Sequence, residues 1–162
     1  MMISGRTLCD HIRLLTPLFG VIAAVFALRF LLGFLGAPRW MLGISSVSIV
    51  VPLCVVLATI MIHSRRFGGY GSVILATVCL VVWSQLLIAS AILFTVLTGI
   101  VNVYTFPEYS MRGADPNHIR HITGHLTFGI GIETLLGSVL SCILLYMLRR
   151  TGPHKKDRTQ AR

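Results

Sequence analysis

The sequence is short of charge. Only 12% of its 162 residues are Asp, Glu, Lys or Arg, about half the roughly 25% of a globular domain, and acidic side chains number just 5. A soluble chain of this length must cover itself with charge, so the shortage excludes an ordinary water-soluble domain. Paired cysteines are missing as well. Cys9, Cys54, Cys79 and Cys142 form no C-x-x-C, and none falls in the loops assigned below to the outer side. That argues against a secreted-type disulfide framework and against a membrane thiol oxidoreductase, which needs an exposed redox pair. The four thiols read as small apolar packing groups. Catalytic patterns are equally sparse: the chain offers no H-E-x-x-H, no Ser-His-Asp set and no paired carboxylates. The Arg65–Arg66–Phe67–Gly68–Gly69–Tyr70–Gly71 turn lacks the G-x-x-x-x-G-K-[ST] spacing of a phosphate loop. There is no solenoid-period repeat and no low-complexity tract.

What the chain has in abundance is apolar sequence, 55% of its residues, gathered in four long blocks. They run over about 12–35, 42–62, 72–101 and 123–148, each enough to cross a hydrocarbon layer of about 30 Å as a helix. The expected fold is therefore all-α, an integral membrane four-helix bundle. It comprises a short N-terminus (1–11), one transmembrane domain (12–148) and a basic tail (149–162). The first block exceeds the ~7–15 residues of a signal-peptide core and ends in Gly36–Ala37–Pro38–Arg39–Trp40, so it reads as a retained helix. The fourth helix is expected to start early, with Asp115 as N-cap and Pro116 at the first helical position, and so to extend beyond the membrane on the outer side. Pro52 is expected to kink the second span locally.

The net charge of +9 is first a topology signal. Arg6, Arg13, Arg65, Arg66, Arg149, Arg150, Lys155, Lys156, Arg158 and Arg162 fall on one side of the membrane, and Arg39, Arg112 and Arg120 on the other. The bias places both termini in the cytoplasm and the protein in a cell (inner) membrane. The tail should attract anionic lipid, at up to about 1 kcal/mol per basic residue, and nucleic acid is not an expected partner. Tyr104, Phe106 and Tyr109 in the long outer loop, with Trp40, read as an interfacial aromatic belt.

Two constellations carry possible chemistry. In DPNHIRHITGHL, His118, His121 and His125 fall on one face of a helix at about 100° per residue. Neutral imidazole is the commonest transition-metal ligand, and an i, i+4 pair can chelate one ion, so zinc or copper is the candidate. His118 and His125 stand about 10 Å apart along the axis, too far for all three to share an ion without Asp115, Glu108 or another subunit. Interfacial histidines that simply bond water or carbonyls remain the plainer reading. Haem is disfavoured because His11, His63 and His154 lie at the opposite side. The second constellation is Arg29 and Glu133, about 10 and 15 Å deep in the same leaflet. Charges in hydrocarbon cost at least about 2.5–3.5 kcal/mol each, which favours an ion pair tying the first helix to the fourth, with Gln85 as a possible member of the polar network. Arg29 snorkelling to the headgroups is the alternative. Ala23/Ala27 and Gly137/Ser141 have small-x-x-x-small spacing.

Three functions fit. A non-catalytic subunit or accessory protein of a larger membrane complex, or a homo-oligomer, suits short loops and the absence of a nucleophile–base set. Metal or proton binding or transport would use the histidine face and Glu133. A small enzyme acting on lipid or quinone should show more polar residues at one depth.

Overall fold

A computed structural model describes residues 2–3, 5–106 and 118–151. Four long apolar helices pack together, all of them candidate membrane spans by length and composition. A short antiparallel ladder, β1 (Met2–Ile3) on β2 (Arg6–Thr7), leads directly into α1 (Leu8–Phe34). Helix α1 starts four residues before the apolar block because Thr7 and Asp10 form a capping box. Thr7 Oγ1 accepts from the Asp10 amide at 3.2 Å, and the Asp10 carboxylate accepts from the Thr7 amide at 2.9 Å.

The second apolar block is divided rather than continuous. α2 (Arg39–Ile44) stops at Ser45, and α3 (Val47–Ser64) starts from Ser46, whose extended backbone makes it an N-cap. Pro52 lies inside α3, which continues as one helix through it. α4 (Tyr70–Thr98) ends three residues short of the expected boundary. Gly99 takes the left-handed conformation at φ 72° and its amide returns to Thr95 O at 2.8 Å, a stop open to glycine because no Cβ opposes it. The last span has three parts: α5 (Ile119–Gly124), a π turn (His125–Gly129) and α6 (Ile130–Thr151). Asp115 and Pro116, offered as its cap and first residue, lie outside the described residues, as do Glu108, Tyr109, Arg112, His154 and the tail beyond Thr151.

α4 is the centre of the bundle. It packs on α1, α3 and α6, and α3 packs on α1 and α6. The core is aliphatic, with Leu15, Ile22, Val55, Ile62, Leu80, Ile92 and Leu145 almost wholly enclosed. α6 approaches α4 at Gly137, where a Cβ would stand 2.7 Å from Thr77 Cγ2, and at Ser141, whose hydroxyl lies 3.4 Å from that of Thr77. The Gly137/Ser141 spacing is thus the close-approach seam. Ala27, of the other small pair, is exposed.

Beyond Gly99 the chain folds back over the end of α4. Buried Asn102 donates from Nδ2 to Ala91 O at 2.7 Å and to Thr95 Oγ1 at 2.8 Å, and accepts the Tyr104 amide on Oδ1 at 2.9 Å. Val103 and Tyr104 are pressed inward, Val103 against Gly33 and Tyr104 stacked on Phe26 at 5.2 Å. Tyr104 therefore departs from the expected aromatic belt, being only 6% exposed.

Candidate functional site

The polar side chains of the last span converge on one residue of the central helix. Gln85 sits near the middle of α4 and is buried. His125 Nδ1 lies 2.7 Å from Gln85 Oε1. An amide oxygen only accepts, so Nδ1 carries the proton and donates, and the Nε2 of neutral His125 presents a lone pair. That Nε2 faces His121 Nε2 at 3.2 Å, the two rings being 5.0 Å apart at 32°. Glu133 also stands near Gln85, although no hydrogen bond joins the two side chains. The result is a hydrogen-bonded row His121–His125–Gln85 across the α4 contact, with Glu133 beside it.

The π turn makes this row possible. In a regular α-helix, positions four apart drift by about 40° round the axis, which would turn Glu133 well away from His125. The wider i→i+5 turn reverses that drift locally, so His125 and Gly129 both meet Gln85 and Glu133 is brought near it. A side chain at Gly129 would be tight there: a Cβ would lie 3.0 Å from Gln85 Oε1 and 3.1 Å from its Cδ, so Gln85 would have to give by a few tenths of an ångström. π turns are rare and gather at functional sites.

The histidine triplet is reduced to a pair. His118 is the N-cap of α5, with left-handed φ of 50°, so it leaves the helical wheel on which the three were expected to align. Among the described residues, no three His, Cys, Asp or Glu side chains gather closely enough to hold a metal ion. The pair is also deeper than expected. His125 bonds a residue near the middle of α4, so it lies within the spanning length rather than at its rim.

Arg29 and Glu133 are not brought together. α1 and α6 each pack on α3 and α4 rather than broadly on each other. Arg29 instead donates from Nη1 to Ser46 Oγ at 3.0 Å, and its guanidinium stands 5.2 Å from the centre of the Tyr104 ring. Burial pushes the Tyr104 phenol above its ordinary pKa, and the Arg29 charge offsets part of that rise. Each charge has thus found its own neighbours: Arg29 the α2–α3 junction and the loop after α4, Glu133 the glutamine of α4. Accordingly, Arg29→Gln and Glu133→Gln should destabilise additively, within about 0.5 kcal/mol. Thermal unfolding of the two single variants and the double variant measures this, and a double variant rescued toward wild type would restore the ion pair.

Sequence reasoning missed the Arg29–Ser46 bond, the Asn102 clasp and the role of Gly129. The signals were present but weak: Ser45–Ser46 inside an apolar block, one Asn after Gly99, and a glycine four residues beyond His125. No protein-family model, curated protein or solved structure matches this chain.

Proposed function

We propose that the chain is a non-catalytic subunit or accessory protein of a larger membrane complex, crossing a cell membrane four times with both termini cytoplasmic. The observation that carries the reading is the uneven burial of the spans. In α4, 56% of the spanning window is buried within the chain; in the last span the share is 11%. That span leaves Ile132, Leu136, Val139, Ile143 and Tyr146 exposed, a row at 4, 3, 4, 3 spacing. Such spacing is what a second helix needs in order to pack along α6. The positive-inside bias supports the orientation, and the basic tail supports attraction to anionic lipid.

Photo-crosslinking side chains placed at Ile132, Leu136, Val139 and Ile143 test the reading in native membranes. They should capture one discrete protein partner. The same probe at Leu86 and Leu93, exposed on α4, should capture lipid alone. Lipid adducts at all six positions would contradict the proposal.

A further inference from the structure

We infer that His121 and His125 form a two-histidine site for a borderline divalent transition metal, with zinc the first choice, and that Gln85 is the positioning residue that sets it. Three observations meet here. The Nε2 atoms are 3.2 Å apart, and two imidazole nitrogens at 2.0–2.1 Å from one tetrahedral ion stand about 3.3 Å apart. The pair is therefore already spaced as one edge of a zinc tetrahedron, on side chains of one helical turn.

The tautomer of His125 is set as well. A metal-bound histidine holds its remaining N–H against an acceptor, which orients the ring and aims the other nitrogen's lone pair. Gln85 Oε1 is that acceptor for His125, 2.7 Å from Nδ1. Gln85 is itself 2% exposed and packed against Gly129, so its oxygen has little room to turn away.

The third observation is the setting. Both histidines are half-buried rather than enclosed, so the remaining coordination positions are open to ligands from outside the chain. The donors are nitrogens without a thiolate, which suits zinc or copper over softer monovalent ions. Without metal, His121 must carry its proton on Nε2 to donate to the lone pair of His125. Binding moves that proton to Nδ1 of His121, and both lone pairs then point at the ion. No net proton is released from a neutral pair.

The site uses neither His118 nor Arg29–Glu133 pairing. Its test is equilibrium dialysis of the full chain in mild detergent against Zn2+, with Co2+ absorption reporting the coordination. One ion per chain is expected. His121→Asn and His125→Asn should abolish binding, His118→Asn should leave it unchanged, and Gln85→Leu should weaken it 10- to 100-fold.

Thermal unfolding separates these effects from misfolding, because added Zn2+ should raise the melting temperature of wild type and His118→Asn but not of the His125→Asn protein. Absence of a stoichiometric ion in the wild type would overturn the site. So would binding that survives His125→Asn, or binding equally tight in Gln85→Leu.

Discussion

Replacing Asn102 by alanine is expected to destabilise the bundle by about 3 kcal/mol, since one buried amide is left unpaired and two further hydrogen bonds are lost. The three contacts of this side chain join the loop at Tyr104 to the last turns of α4 at Ala91 and Thr95. Tyr104 in turn carries Phe26 and Arg29, and Val103 fills the space over Gly33. Loss of the clasp therefore loosens α1 and α4 at one end together. Asn102→Asp should be worse than alanine, because a carboxylate cannot donate to Ala91 O or Thr95 Oγ1 and places a charge among buried groups. The reaction of buried Cys54 with a thiol dye during heating measures both. Unfolding of either variant at the wild-type temperature would contradict the clasp.

The second large effect is expected at Gly137. Leucine there should separate α6 from α4 and unfold the bundle in detergent, an overpacking cost of about 3 kcal/mol or more. Even alanine places a Cβ 2.7 Å from Thr77 Cγ2. The obstruction is one methyl group, so Thr77→Ser, which removes that methyl and keeps the hydroxyl bonded to Val73 O, should restore most of the stability of Gly137→Ala. It should do nothing for Asn102→Ala, whose damage lies at the far end of α4. Failure of that rescue would mean that the helices do not meet at this seam.

Much of the fold was legible because a membrane span is written in length and hydropathy alone. The four blocks coincide with the four long helices to within a few residues. The close approach at Gly137 and Ser141 could be read from spacing because small residues four apart form a groove on any helix. Boundaries were harder, since they depend on single capping residues: Thr7 and Asp10 extend α1, and Gly99 shortens α4.

The site was legible in its members and not in its pairing. His121, His125, Gln85 and Glu133 stand out as polar residues in apolar surroundings. Which of them meet depends on helix phase, and a wheel drawn at a constant 100° carries no sign of the π turn that resets it. The same limit explains Arg29. Depth along the membrane normal suggested Glu133 as its partner, but depth says nothing of which helices are neighbours. α1 and α6 both line α3 and α4, and a serine in a break between two helices is closer to hand.

These features give the last span two faces, one packed closely on α4 and α3 and one apolar and turned outward. α4 is enclosed on several sides, whereas α6 turns a regular apolar row outward and is tied to the bundle at the Gly137 seam, the Gln85 row and Arg149, which sits over Tyr70 at 4.9 Å. A subunit that docks through one helix has this distribution of contacts. The measurement that tests it most directly is native mass spectrometry of the protein released from its own membrane. The account predicts that the 17.8 kDa chain emerges bound to a second, different chain, and that Leu136→Trp with Val139→Trp releases it as a folded monomer. A wild-type chain that emerges alone, with the paired tryptophan variant indistinguishable from it, would contradict the account.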